Sequence, residues 1–333
     1  MTADDRAERI LQRHTPTKRV RAAHRPIVVA GEALIDIIVD VDGGLRAVPG
    51  GGPYNTARTI ARLGGDVAFV GRISVDRFGR ALRSKLEADG VLMDRVVATD
   101  DPTTLAVAEL DARGTASYQF YLDGTSAAGL TDADTPDVLS SDVVAVHVGT
   151  LGLVLEPTGT TIERLIHAAG PDILVMLDPN CRPSATRDAA AFRARITTIA
   201  RRADVVKVSD DDLRFLDPGL APDLAIQRLL DLGVRVVLRT DGGRSVEIRT
   251  ASERASVPVP NVAVVDTVGA GDAFGGAFLA SWISAGRGRA ELGSIDNVLE
   301  SVRYAIRVAA LTCTRAGAEP PTAAELAAWS PPG

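Results

Sequence analysis

The chain has 333 residues, of which 46% are hydrophobic and 24% are charged, and its net charge at pH 7 is −6. This composition excludes a disordered or collagen-like chain, and the acidic balance argues against nucleic acid as a partner. The longest uncharged apolar stretch is too short to span a membrane, the N-terminus is not apolar, and the two cysteines form no disulfide framework, so we expect a cytoplasmic protein without membrane contacts.

The first elements in chain order predict a flexible arm followed by a sheet. Residues 1–25 are polar and of mixed charge, which indicates a mobile N-terminal arm, and we expect one domain over residues 26–333. Ile27–Ala30 is a short apolar strand, and the next strand carries Asp36 in apolar company. Alternating residues over 103–122 predict a β-hairpin, so residues of about 36–50 and 101–124 are expected to form a small β lid.

The rest of the chain alternates strands with helices. Such alternation, with apolar strands, predicts a mainly parallel sheet covered by helices on both faces, that is, an α/β fold with three layers. An apolar run at Val262–Val265 also reads as a strand. The predicted strands are Val143–Val148, Ile173–Leu177, Val205–Val208 and Val234–Leu238, and the helices span about 157–169, 188–202, 210–232, 270–284 and 296–312.

The strongest local motif is Asp266-Thr267-Val268-Gly269-Ala270-Gly271-Asp272-Ala273-Phe274. Glycines at the start of a helix bare its backbone N–H groups, which together with the helix dipole attract anionic oxygens. An aspartate in the same turn can accept a proton from an attacking hydroxyl, so the motif suits phosphoryl transfer. The simpler interpretation is a capped helix start whose glycines serve close packing.

Three further segments carry polar groups suited to a hydroxylated ligand. The turn Gly50-Gly51-Gly52 precedes Asn55, which we expect to cap a helix ending near Leu63. Asp36 in an apolar strand requires a partner or a polar ligand. Asp178-Pro179-Asn180-Cys181-Arg182-Pro183 follows a predicted parallel strand, where open α/β sheets bind ligands. Ordinary turns would explain the first and third segments equally well.

Common nucleotide-binding and kinase motifs are absent. The sequence contains no GxxxxGK[ST] phosphate loop and no HRD or DFG motif. These absences exclude a P-loop enzyme and a protein kinase. Gly269-Ala270-Gly271 follows Asp266-Thr267 rather than a first strand, which disfavours a Rossmann dinucleotide site.

Together, Gly50–Gly64 and Asp266–Phe274 resemble the two signatures of the PfkB/ribokinase-like carbohydrate kinases, and the resemblance covers residues of about 26–325. Three stretches look most like bacterial fructokinases: Gly31–Asp36, Asp178–Pro183 and Ala310–Ala318. The resemblance implies a three-layer ribokinase-like α/β/α core with a β lid that closes over a sugar. In this family the lids sometimes pair between subunits, so a homodimer through the lid is also implied.

The resemblance also assigns roles to individual residues. Asp272 matches the catalytic base, with an anion hole formed by Gly269, Ala270 and Gly271. Asp36, Gly51 and Asn55 match contacts to sugar hydroxyls, and Arg182 matches a residue near the substrate. Thr240 and Gly242, together with Gly271, match the nucleotide site. ATP, Mg²⁺ and K⁺ are the implied cofactors, with Asp212 reaching Mg²⁺ through water and Asp266 near K⁺.

Two departures from the family pattern concern the metal and the nucleotide. The family's Asn-x-x-Glu element is replaced by Ser209-Asp210-Asp211-Asp212, and Ser245 stands where the nucleotide turn often has glycine. We therefore expect an ATP-dependent sugar kinase, most like a fructokinase that forms fructose 6-phosphate. The alternatives are a 2-keto-3-deoxygluconate kinase, another sugar or nucleoside kinase of the family, and a non-enzymatic sugar-binding regulator on the same fold.

Overall fold

The computed structural model describes residues 25–40, 42–110, 116–135 and 139–331. All but the last residue of the predicted N-terminal arm therefore lie outside the described residues. Within the described part of the chain, no helix is both long enough and apolar enough to cross a bilayer.

A nine-stranded sheet forms the centre of the molecule, in the order β13-β12-β11-β10-β9-β8-β1-β4-β5. Its pairs are parallel from β5 to β11, and only β12 and β13 run antiparallel to their neighbours. The strands are β1 (Ile27–Ala30), β4 (Val67–Ser74), β5 (Val96–Thr99), β8 (Ala145–Gly149), β9 (Leu174–Asp178), β10 (Val205–Ser209), β11 (Val236–Asp241), β12 (Ser245–Arg249) and β13 (Arg254–Pro258).

A second sheet has four strands in the order β3-β2-β6-β7. It consists of β2 (Leu34–Val39), β3 (Leu45–Gly50), β6 (Leu105–Leu110) and β7 (Ala116–Tyr121). The predicted hairpin and the strand extended past Asp36 thus pair with each other, with β2 parallel to β6. The turn between β6 and β7 belongs to the residues that are not described.

Helices cover both faces of the large sheet. They are α1 (Gly52–Arg62), α2 (Arg77–Asp89), α3 (Thr158–Ala168), α4 (Ala189–Ala200), α5 (Asp210–Leu216), α6 (Pro222–Asp231), α7 (Ala270–Ser284), α8 (Ile295–Cys313) and α9 (Ala323–Ala328). Successive strand residues point to opposite faces, so Val29 belongs to the core on the side of α1, α7 and α8, while Val28 belongs to the core on the side of α3 and α4. This confirms the three-layer α/β/α architecture.

The structure corrects two of the predicted elements. The predicted helix over 210–232 is two helices, because Gly219 adopts a φ of +88° and Pro222 starts a new helix. The predicted strand Val262–Val265 is an irregular segment, in which Val264 and Val265 are 60% and 64% exposed. The backbone N–H of Val265 donates to the Cys313 carbonyl at the end of α8 rather than to a neighbouring strand.

Candidate active site

The N-terminus of α7 is the centre of the candidate site. Gly269 caps the helix with a φ of +76°, and a Cβ at this position would lie 2.4 Å from the Ala318 Cβ, so the turn requires glycine. The first N–H groups of a helix have no partner within it; here the N–H of Ala270 donates to the Thr267 carbonyl over 3.2 Å, which leaves the N–H groups that follow it in this turn available to an anion. Asp272 lies in the same turn and is buried.

Asp272 is held by a residue far away in the sequence. The Asn55 side-chain nitrogen Nδ2 donates to Asp272 Oδ2 over 2.9 Å, and the side-chain oxygen Oδ1 of Asn55 is buried without a hydrogen-bond partner. The prediction that Asn55 caps a helix is wrong, because α1 begins at Gly52 and encloses Asn55 in its second turn. Its side chain is therefore free to turn toward α7.

Burial raises the pKa of Asp272 to about 6, against the hydrogen bond from Asn55, which lowers it. Asp178 raises the pKa further, whereas Lys207 and Arg182 lower it. A carboxyl with a pKa just below neutrality is ionised at pH 7 and is well matched to accept a proton from a substrate hydroxyl.

Gly50, Gly51 and Gly52 bring backbone close to the site. Gly51 has a φ of +108°, and a Cβ on Gly52 would lie 2.3 Å from Thr150 Oγ1 and 3.3 Å from Asp272 Oδ1. These contacts show that the turn packs directly against the candidate base, at a distance only glycine allows.

Glu32 holds the turn of Gly50, Gly51 and Gly52 in place, although sequence analysis assigned it no role. Its two carboxylate oxygens accept hydrogen bonds from the backbone N–H groups of Gly52 and Gly152, over 3.0 and 2.8 Å. Burial raises its pKa to about 8. A sequence signal for Glu32 was present, because it is a carboxylate two residues after the apolar strand Ile27–Ala30.

Asp36 reaches the site from the four-stranded sheet. A Cβ on Gly50, in the neighbouring strand β3, would lie 2.0 Å from Asp36 Oδ2, so glycine makes room for this carboxylate. Burial raises the pKa of Asp36 to about 7, Asp272 raises it further, and Arg182 lowers it. A carboxyl with a pKa near 7 is partly protonated at neutral pH, so Asp36 can both accept hydrogen bonds from ligand hydroxyls and donate to them.

Arg182 follows β9 and is oriented by its own loop. Its Nη1 donates to the Asn180 carbonyl, to Asn180 Oδ1 at 2.7 Å and to the Cys181 carbonyl. Asn180 has a φ of +39°, which brings its amide side chain within reach of the guanidinium. Among the described residues, Arg182 Nε and Nη2 donate no hydrogen bond, so these atoms remain available to a ligand.

A cavity of about 330 Å³ unites most of the predicted site residues. Asp36, Gly51, Asn55, Arg182, Gly269, Gly271 and Asp272 all line it. Tyr118 and Phe120 from β7 also line it, with ring centroids 6.0 Å apart and an angle of 13° between the rings. An apolar surface opposite several carboxylates and an arginine fits a sugar, which presents both C–H groups and hydroxyls.

A second cleft, of about 500 Å³, meets the first at Thr267 and Gly271. It contains Ala270 of the predicted anion hole and the predicted nucleotide residues Thr240 and Gly242. A Cβ on Gly242 or on Gly243 would meet no other atom within 4 Å, so this turn borders open space. The cleft is otherwise largely apolar, with Val246, Val259, Phe274, Ile306 and Ala310 among its lining residues.

The two predicted metal-associated carboxylates already have hydrogen-bond partners. Asp212 Oδ1 accepts from the Cys181 N–H, and Oδ2 accepts from the N–H and hydroxyl of Ser209 as part of a helix-capping box. Asp266 Oδ1 accepts from the Val268 N–H and Oδ2 from the Gly317 N–H. No group of three or more histidine, cysteine or acidic residues in the described ranges is arranged to hold a metal ion.

A buried ion pair between Lys207 and Asp178 lies close to these residues. Lys207 Nζ donates to Asp178 Oδ2 over 2.7 Å, and the two side chains are only 6% and 3% exposed. Sequence reasoning singled out the loop that starts at Asp178 but assigned no role to either residue. Their strands β9 and β10 are neighbours, which is what brings them together.

Comparisons with known proteins agree with this geometry. The model of the pfkB family carbohydrate kinases matches residues 25–324. A fructokinase of Rhizobium leguminosarum bv. trifolii is 37% identical over 259 residues, which is 77% of this chain and 79% of the relative. A Xylella fastidiosa fructokinase with bound ATP superposes with a TM-score of 0.85 and 28% identity, over 92% of this chain and 98% of that one.

A Vibrio cholerae O395 fructokinase, solved with fructose, ADP and calcium bound, superposes with a TM-score of 0.82. It is 28% identical over 92% of this chain and 99% of that one. The family match spans the two sheets, the glycine turn and the start of α7, which are the features that form the candidate site. The chain belongs to the pfkB family of carbohydrate kinases.

Proposed function

We propose that the protein is an ATP-dependent fructokinase that transfers the γ-phosphoryl group of ATP to the 6-hydroxyl of D-fructose. The observation that carries this proposal is the junction of the two cavities at the N-terminus of α7, where Asp272 stands between a polar pocket and an apolar cleft. The fructokinases of known structure and sequence described above support fructose as the sugar.

The pocket of 330 Å³ would hold the sugar. Asp36 and the unpartnered side-chain oxygen of Asn55 would accept hydrogen bonds from sugar hydroxyls, and Arg182 would donate to a hydroxyl or to the ring oxygen. Gly51 would allow the ligand to approach the backbone. Tyr118 and Phe120 would cover the sugar from the four-stranded sheet, which we propose acts as a lid.

The apolar cleft would hold ATP. Its aliphatic residues suit a purine base, and the open turn at Thr240 and Gly242 would leave room for the phosphates. The N–H of Gly271 would face the γ-phosphate, since Gly271 lies in the first turn of α7 and lines both cavities. The N–H groups of Gly269 and Ala270 would join it, that of Ala270 after it leaves the Thr267 carbonyl. Asp272 takes the proton of the attacking hydroxyl, a new O–P bond forms, and the bond between the γ-phosphorus and ADP breaks.

Magnesium would supply neutralisation of the phosphate charge when it is bound with ATP. Because both oxygens of Asp212 already accept hydrogen bonds, the role proposed for this residue is limited to contact through water. For potassium, Asp266 ties the segment before α7 to Gly317, so these two segments lie side by side and both could present carbonyl groups to an ion. We propose that they bind K⁺ and that Asp266 fixes their spacing.

Two candidate substrates differ in what they require of Arg182. The free Nε and Nη2 atoms of Arg182 form a fork that matches a carboxylate, which favours 2-keto-3-deoxygluconate as the alternative substrate. Fructose lacks a carboxylate and would use the same atoms for hydroxyl groups. The similarity in sequence and structure to fructokinases over most of the chain favours fructose as the substrate.

The experiment follows ADP release with purified protein, ATP, Mg²⁺ and D-fructose, and identifies the product by NMR. Fructose-dependent ADP release with phosphorus on the 6-hydroxyl supports the proposal. ADP release that does not depend on fructose, or phosphorylation at another hydroxyl, contradicts it. A homodimer through the four-stranded sheet stays a prediction, which the exposure of Leu45 and Tyr121 on that sheet supports and sedimentation would test.

A further inference from the structure

Lys207 and Asp178 form a buried charge pair that neither the stability of the fold nor the reaction as proposed above explains. Burying two charges removes the hydration of both ions, and apolar residues of similar size often stabilise a fold equally well. Burial alone would lower the pKa of Lys207, but Asp178 raises it above its usual value. The ammonium group is therefore charged inside the protein.

The ammonium group lies directly beneath the candidate anion hole. A Cβ at Gly271 would be 3.3 Å from Lys207 Nζ, and the other nearest atom is the neighbouring carbon of the same side chain. An ammonium has three donors, and within the described residues Lys207 uses one of them, on Asp178 Oδ2. Asp178 Oδ1 is buried and has no hydrogen-bond partner. The ammonium end of the pair thus lies beside Gly271 in the first turn of α7.

We propose that Lys207, oriented by Asp178, is a positioning residue of phosphoryl transfer that adds fixed positive charge beneath the first turn of α7 and keeps Asp272 in its proton-accepting form. This inference rests on the proposed kinase reaction and deepens it. Lys207 does not need to line either cavity, because a charge acts through a low-dielectric interior over several ångströms.

The charges around Asp272 decide its protonation, and they come from several elements. The acidic groups around it are Glu32, Asp36 and Asp178, and the basic groups are Arg182 and Lys207. Asn55 donates a hydrogen bond to the Asp272 carboxylate. His147, on β8 near Gly275, is neutral because burial lowers its pKa to about 3. Lys207 lowers the pKa of Asp272, and Asp178 raises it. Removing one or the other charge must therefore move this pKa in opposite directions.

The test compares Lys207→Met, Asp178→Asn and the double variant with the wild type. For each protein, kcat and KM are measured from pH 5 to 9 with the sugar that gives the wild type its highest kcat/KM. We expect Lys207→Met to lower kcat by about 100-fold, as for the loss of one electrostatic stabiliser of a transition state. Its acidic limb should move to higher pH, whereas that of Asp178→Asn should move to lower pH.

The double variant can still be measured if a single variant does not fold, because the double variant leaves neither charge of the pair buried without its partner. We expect it to have a wild-type KM for the sugar and the low kcat of Lys207→Met. Calorimetry without turnover provides a second readout: Lys207→Met should lose affinity for the ATP analogue AMP-PNP relative to ADP, since only the analogue places a γ-phosphate at α7.

Three results would overturn the inference: acidic limbs that move in the same direction in both single variants, a double variant with wild-type kcat, or an unchanged preference for AMP-PNP over ADP. Each would leave the pair a structural feature. The proposed function fails separately, if the wild type phosphorylates a sugar other than fructose, and the comparison of the variants on that sugar still stands.

Discussion

Replacing Asp272 by asparagine should separate activity from stability. The amide has nearly the same shape as the carboxylate and can still bond to Asn55, but it cannot accept the proton of a sugar hydroxyl. Loss of a general base lowers rates by about 10²–10⁴-fold, so we expect this loss in kcat with the KM for fructose changed little.

The same substitution should stabilise the fold at neutral pH. The pKa of Asp272 rises from an ordinary value of 3.8 to about 6 in the folded protein, which corresponds to about 3 kcal/mol against the ionised folded state. The folded state binds more protons between these two values, so the stability of the wild type falls as the pH rises through 6. Asparagine has no such penalty, and Asp272→Asn should gain up to about 3 kcal/mol relative to the wild type above pH 6.

The assay combines steady-state kinetics with urea unfolding at pH 4 and pH 7.5. Asp231→Asn is the matched control, since Asp231 is exposed on α6 and its only described hydrogen bond is to Gln227. Its kcat and its free energy of unfolding should remain those of the wild type. A variant Asp272→Asn with near-normal kcat would refute the base, and one destabilised equally at both pH values would refute the burial argument.

Three further predictions concern the sugar pocket and the metal. Asn55→Ala should raise the KM for fructose by about 5- to 150-fold and leave the KM for ATP unchanged. This increase is the equivalent of about 1–3 kcal/mol for hydrogen bonds lost in a buried site. A change in the KM for ATP alone would show that the sugar site is misplaced. Gly52→Ala should nearly abolish fructose turnover, because the added Cβ would lie 2.3 Å from Thr150 Oγ1. The control Gly293→Ala should have wild-type kinetics, because a Cβ at that position meets open space. Equal effects of the two substitutions would contradict the packing argument. Excess EDTA should abolish activity and added Mg²⁺ should restore it, and full activity in EDTA would contradict the need for a divalent ion.

The layers of the fold and the start of α7 were predictable because their signals are local. Alternation of apolar strands with helices predicts a covered parallel sheet, and glycines before an apolar helix predict an open helix N-terminus. The loop and helix break between α5 and α6 was missed because a continuous apolar pattern outweighed Gly219 and Pro222. Val262–Val265 reads as a strand from β-branched residues, yet no strand of the described chain pairs with it.

The contacts that complete the site were beyond sequence reasoning because they join distant residues. Asn55 and Asp272 are 217 residues apart, and this contact explains why Asn55 does not act as a cap. Lys207 and Asp178 are 29 residues apart and meet only because β9 and β10 are adjacent in the sheet. A lone lysine in an apolar strand was the available signal, since such a charge needs a partner.

The most direct test of the account is kcat/KM for a panel of sugars with ATP and Mg²⁺: D-fructose, ribose, glucose, adenosine and 2-keto-3-deoxygluconate. We expect the highest kcat/KM with D-fructose, and we expect Arg182→Ala to impair fructose turnover while ATP binding remains. A preference of tenfold or more for 2-keto-3-deoxygluconate, about 1.4 kcal/mol in transition-state binding, would show that Arg182 binds a carboxylate and would contradict the assignment of fructose.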